Sequence, residues 1–330
     1  MKITREKNLS TPDILFSVAR ETGASLIYAG SSDAGVQAWD LDAEKPVRQD
    51  FAEKRHTSYV TGVVARPGQL ISGAYDGTLC WWDLNAKTVQ RSISAHSKWI
   101  RRIALSPDRS LVASVADDMV GKLWNAETGE LVRTFEGHAQ QTPHHYPSML
   151  YATAWSPDGQ YLATVDKTGI ILVWQVATGE LARKLEAPVM YTWDPRARRH
   201  SIGGIRSVCF SPDGKLLVVG GMGKVGNIDH LEGHARVEIF DWQQETRLHE
   251  IESTKFKGLV EKIEFHPHDN WCLAVGGDHK GFLMGINTAT GELFLEEGHD
   301  THIHDFLLDH ERQQLITVGH NRLSTWSWSS

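Results

Sequence analysis

Seven variants of one apolar segment recur along the chain, and such self-similarity constrains the fold more than any single motif. They read GVQAWDL, LCWWDL, GKLWNAETGE, ILVWQVATGE, VEIFDWQQE, LMGINTATGE and LSTWSW. Their anchors are Trp39, Trp82, Trp124, Trp174, Phe240, Ile286 and Trp326, spaced 43, 42, 50, 66, 46 and 40 residues apart. Most anchors follow another apolar run, such as QLISGAY, SLVASVA, QYLATVD or KLLVVGG. Further upstream stands IRRIAL, YATAW, IRSVCF or VEKIEF, and downstream LVRTFEG or LARKLEA. Ser-Pro-Asp turns begin at Ser106, Ser156 and Ser211, and Thr-Gly-Glu turns occupy 128–130, 178–180 and 290–292. Pro fixes φ and Gly accepts positive φ, so these tetrads punctuate strands by a known mechanism.

Four short strands in each period of about 42 residues read as propeller blades. The pattern resembles the WD-repeat family over nearly the whole chain. Trp39-Asp40 and Trp82-Asp83 carry the dipeptide, and Trp124-Asn125, Trp174-Gln175 and Phe240-Asp241 are drifted copies. Gly137-His138 and Gly298-His299 keep the glycine-histidine half of the signature, with Ala95-His96 close to it. Ile286-Asn287 and Trp326-Ser327 depart furthest. The resemblance implies an all-β, seven-bladed propeller of four-stranded antiparallel blades, one domain over residues 1–330. It also implies that the N-terminal strand completes the last blade, leaving no open edge.

Within that family pattern, His96, Ser114, Asp118 and Trp124 fall where a side-chain network crosses a blade. His56, Ser72, Asp76 and Trp82 match them one repeat earlier. A catalytic triad is needed once, whereas a set recurring at the repeat period satisfies buried polar groups. These residues are read as structural.

Function is expected where the scaffold departs from its period, because loops on a rigid frame carry recognition. The long intervals hold GHAQQTPHHYPSML, APVMYTWDPRARRHSIGG and the glycine-rich GGMGKVGNIDHLEGHARVEIFDW. By family architecture all three emerge on one face, the top, together with Tyr59, Trp99, Met149 and His302 just before their blades' first strands. Gly223-Lys224 is followed by Val225 rather than Ser or Thr, with no helix after it, so a Walker loop fails. The glycines are read instead as letting a long loop turn tightly.

The expected function is a non-catalytic protein–protein interaction scaffold. Its candidate partner-binding residues are Tyr59, Trp99, His144, His145, Tyr191, Trp193, Arg196, Arg198, Arg199, Lys224 and His230. Tyr191 and Trp193 are apolar anchors, and the three arginines suit carboxylates of a protein or peptide. The alternative is a metal-binding or enzymatic propeller using top-face histidines, with His144, His145, His230, Asp229 and His234 as ligands. Neither HExxH nor a paired CxxC fixes such a set. No nucleophile elbow or P-loop points to catalysis, and no cofactor is expected. A net charge of −7 argues against nucleic acid, despite the RARRH run. The charged start has no apolar core, no run is long enough to span a bilayer, and three isolated cysteines suit a reducing compartment. The cytoplasm is the expected location.

Overall fold

The computed structural model describes residues 2–21, 23–51, 55–196, 198–229 and 232–329. Seven four-stranded antiparallel sheets follow one another around a central channel, with no α-helix among the described residues. The blades run over 15–50, 60–94, 100–135, 150–186, 207–257, 259–299 and 303–329, numbered 1 to 7 here. Lys2–Ser10 pairs with Arg322–Ser329 as the fourth strand of blade 7, Leu9 standing opposite Leu323. Blade 7 packs on blade 1 through Leu15, Val18, Trp39, Ile316 and Val318, all buried.

The repeat is structural down to register. Each anchor lies on the third strand of its blade, opposite a buried residue of the second: Ile27 with Trp39, Leu70 with Trp82, Val112 with Trp124, Leu162 with Trp174. The same holds for Leu217 with Phe240, Cys272 with Ile286 and Leu315 with Trp326. The drifted sixth and seventh copies therefore build ordinary blades, because burial and register at the anchor ask only for a large apolar group. The Ser-Pro-Asp turns close identically. Ser106 Oγ donates to Asp108 Oδ1 at 2.5 Å and accepts the Leu111 amide at 2.9 Å, and Ser156 and Ser211 repeat the arrangement.

The second insert forms structure of its own, a 3-10 turn at Pro188–Met190 and a hairpin of Tyr191–Asp194 with His200–Gly203. Glycines of the third insert do not serve as expected. Gly220 and Gly221 belong to the strand Leu216–Met222, and neither they nor Gly223 has positive φ. A Cβ on Gly221 would stand 2.5 Å from the Gly204 carbonyl oxygen, so its missing side chain lets the hairpin lie against blade 5.

Candidate functional site

At the top of the channel the first strand of six blades carries a β-bulge at the same place. Register slips between Leu15 and Ser17, Val60 and Gly62, Ile100 and Arg102, Leu150 and Ala152, Val260 and Lys262, and Ile303 and Asp305. A bulge leaves one residue unpaired and re-aims its side chain. The residues so released are Phe16, Thr61, Arg101, Tyr151, Glu261 and His304. Arg206 supplies the blade 5 counterpart just before its strand Ser207–Phe210. Together with Tyr75 and Arg102, these seven side chains line a cavity of about 130 Å³ at the channel mouth. One re-aimed residue per blade makes the site.

Its chemistry is aromatic and cationic. Tyr151 is flanked by two guanidiniums, Arg206 3.7 Å and Arg101 5.6 Å from its ring centre. Arg101 is committed, donating to both Asp117 oxygens at 2.7 Å and to the Tyr75 hydroxyl at 2.7 Å. Arg206 is not: among the described residues its guanidinium makes no hydrogen bond or ion pair, and its Nε is enclosed without an acceptor. Lys167, 5% exposed, adds a second cation, whose pKa is lowered by burial and then by Arg206. Trp99 stacks on Tyr75 at 4.6 Å and 6° from parallel, and Tyr59 stacks on Phe16 at 5.4 Å. Trp99 and Tyr59 remain 50% and 45% exposed, an aromatic rim open to solvent. Across the mouth, burial opposes the Glu261 charge, but His302 and Arg206 outweigh it and hold the carboxyl down at about 2.

The three inserts meet, although they are far apart in sequence. Trp193 stacks on His144 with ring centres 4.1 Å apart, and His144 Nδ1 lies 3.0 Å from the Tyr191 hydroxyl. Tyr146 touches Trp193 and His200. The Val225 amide donates to Thr192 Oγ1 at 3.1 Å, tying the third insert to the hairpin. A groove of about 440 Å³, lined by Tyr75, Trp99, Asp117, Pro147 and Met149, runs from the mouth to the first insert.

Placement of the other candidates is mixed. Arg198 is already paired, its Nε and Nη2 each 2.7 Å from Asp229, so this arginine is not an idle carboxylate receptor. The side chains of Arg196, Arg199 and Lys224 are exposed, as is that of His145, which turns at φ 63° instead of lying in a strand. His230 lies outside the described residues. Among the described residues, His144, His145, Asp229 and His234 form no cluster of donor atoms, His144 stacking on Trp193 and Asp229 pairing with Arg198. Donor atoms that do converge belong to Glu261, His302 and His304.

Several histidines are structural, as read for two blades. Ser72 Oγ accepts from Trp82 Nε1 at 2.8 Å and meets His56 Nε2 at 2.7 Å, while Asp76 stands 3.4 Å from His56 Nδ1. His96, Ser114, Asp118 and Trp124 repeat this in blade 3. His138 and His299 also belong to blade interiors. His138 joins Thr164 and Asp166 at 2.9 Å each, and His299 joins Ser324 at 3.1 Å. Their glycine-histidine dipeptides were the available signal. The bulge ring, by contrast, was missed.

Comparison with known proteins fits this geometry. The family model WD domain, G-beta repeat matches residues 49–83, 87–125, 129–175 and 196–225. The chain is similar, at 29% identity over 111 residues, to nuclear distribution protein PAC1 of Arthroderma otae, covering 31% of this chain and 24% of that protein. It is 32% identical over 96 residues to protein transport protein SEC13-1 of Candida glabrata, covering 26% and 30%. It is 30% identical over 121 residues to F-box/WD repeat-containing protein sel-10 of Caenorhabditis elegans, covering 36% and 20%. The matched segments thus span no more than 30% of these relatives. Repeat model and blade register agree: the chain is a WD-repeat protein folded as a seven-bladed β-propeller.

Proposed function

We propose that the chain is a non-catalytic interaction scaffold whose top face receives a protein or peptide bearing an acidic side chain. The observation that carries this reading is Arg206, its guanidinium 3.7 Å from the Tyr151 ring centre in the channel mouth with no acceptor among the described residues. A guanidinium pinned by stacking has lost little further entropy when it forks onto a carboxylate, which favours bidentate recognition. Lys167 beside it, 5% exposed, adds a second positive charge to draw an anion into the mouth. Trp99, Tyr59 and the His144–Trp193 stack supply the rigid aromatic area that dominates interface energetics. The groove between them suits an extended segment running from the mouth to the inserts. Arg196, Arg199 and Lys224 are rim charges in this reading, affecting association rate more than affinity. The cytoplasm is the proposed location.

The test is selection of a random-peptide display library on the purified protein in EDTA, followed by affinities for Arg206→Gln, Trp193→Ala and Lys215→Ala. Wild type is expected to enrich peptides with Asp or Glu at one fixed position. Arg206→Gln should weaken them at least tenfold, while Lys215→Ala, on a Ser-Pro-Asp turn, binds as wild type does. Selected peptides without a fixed acid, or binding indifferent to Arg206, would overturn the reading.

A further inference from the structure

The three donors opposite Arg206 have a different chemistry from the cationic half of the mouth. Glu261 is the bulge residue of blade 6, His304 that of blade 7, and His302 precedes the strand Ile303–Asp309. One donor atom from each lies within 4.8 Å of the other two. His302 Nδ1 stands 3.1 Å from the Asp278 carbonyl oxygen, a contact only N–H can make. The Nδ1–H therefore donates to that carbonyl, which leaves Nε2 turned towards Glu261 Oε1 at 3.5 Å. Apart from that long approach to Glu261 this buried Nε2 has no hydrogen bond, and His304 Nε2 is enclosed and unpartnered. Two orphaned ring nitrogens and a carboxylate aimed into one space need a common partner, since buried polar groups are costly when unmet.

We propose that Glu261, His302 and His304 form a transition-metal site of the zinc class in the wall of the channel mouth. Two imidazoles and one carboxylate suit zinc or cobalt rather than calcium or magnesium, which prefer oxygen alone. Ligands about 2.0–2.2 Å from a tetrahedral ion stand about 3.3 Å apart, so donors lying within 4.8 Å need approach by at most about 1.5 Å. The Asp278 carbonyl on His302 Nδ1 is the outer contact that orients a ligating histidine. Arg206 and Arg102 oppose a cation here. Glu261 supplies the offsetting charge, and the arginines draw an anion to the ion's open fourth position. His320 stands beside the site, its ring 4.9 Å from His304 and 5.1 Å from His302.

The experiment uses full-length protein without a histidine tag, stripped with EDTA and titrated with Co²⁺, then with Zn²⁺ in competition. Wild type is expected to bind one equivalent of Co²⁺ with visible d–d bands that Zn²⁺ abolishes. Zn²⁺ should also raise its melting temperature, because ligand binding to the folded state stabilises it. Glu261→Gln and His304→Ala should lose at least tenfold in affinity and the thermal shift, whereas His144→Ala keeps both. Stripped variants are first matched to wild type by melting temperature. If a variant melts early, His302→Gln replaces it. Absence of d–d bands at a tenfold excess of Co²⁺ would overturn the proposal, as would uptake that survives Glu261→Gln and His304→Ala together. The acidic-peptide reading is tested in EDTA, so the two succeed or fail separately.

Discussion

Trp193 lies flat on His144, the ring planes 8° from parallel, and this stack joins an insert after blade 3 to one after blade 4. Neither partner belongs to a blade, so the contact organises the inserts rather than the scaffold. Aromatic pairs of this kind couple by about 0.5–1.5 kcal/mol beyond burial. A double-mutant cycle with Trp193→Ala and His144→Ala, read by urea denaturation, is expected to return a coupling in that range. Additivity of the two single effects would show that the inserts are held independently.

The blade networks should behave differently. Ser72 Oγ satisfies both His56 and the anchor Trp82, and both rings are buried. Ser72→Ala leaves two buried nitrogens unmet, at a cost of roughly 2–4 kcal/mol. Urea midpoints should move down accordingly while peptide affinity at the top face stays unchanged. A loss of affinity in still-folded protein would show that the networks reach the binding surface.

How much of this was legible follows from what each feature asks of the residues. Anchors such as Trp82 and Ile286 need bulk at a fixed period, and a period survives even when Trp drifts to Ile. The inserts were legible as excess length, and their meeting followed from family architecture. The bulge ring was not, because Phe16, Thr61, Arg101, Tyr151, Arg206, Glu261 and His304 share neither size, charge nor polarity. They share only an offset, two residues after Ile14, Tyr59, Trp99, Met149, Gly204, Leu259 and His302. Strict alternation along a strand carries no sign of a bulge, so the offset has meaning only once the register slips are known. The pairing of Arg198 was hidden for a related reason: sequence displays a charge but not the Asp229 that meets it.

Blade 5 contains the most heavily charged interior. Arg236, 6% exposed, donates to Glu238 and Glu252 at 2.7 Å and also meets Glu250, while Glu238 is wholly buried. Arg236→Met leaves Glu238 with Arg247 alone, at 3.0 Å. Removing one partner of a buried pair costs about 3–5 kcal/mol, whereas replacing both with apolar groups is often neutral. Arg236→Met is therefore expected to lower stability sharply, and Arg236→Met with Glu238→Leu to recover most of it. A double variant no more stable than the single one would place the cost in lost packing.

Glu264, beside Lys262 and Asp305, gives a pH dependence of known sign. Burial raises its pKa to about 7, and the Asp305 charge adds to that while Lys262 opposes it. The folded protein therefore holds a proton that the unfolded chain has released, and stability falls as pH rises from the ordinary carboxyl value towards 7. Below about 4 both states are protonated and the group is neutral in its effect. Above 7 the full penalty applies, at most about 3 kcal/mol because the side chain is not wholly enclosed. Glu264→Gln removes the ionisation but keeps the shape. Urea midpoints of the two proteins should coincide at pH 4.5 and separate by pH 8, the variant being the more stable. Parallel curves across that range would mean that solvent reaches the carboxylate.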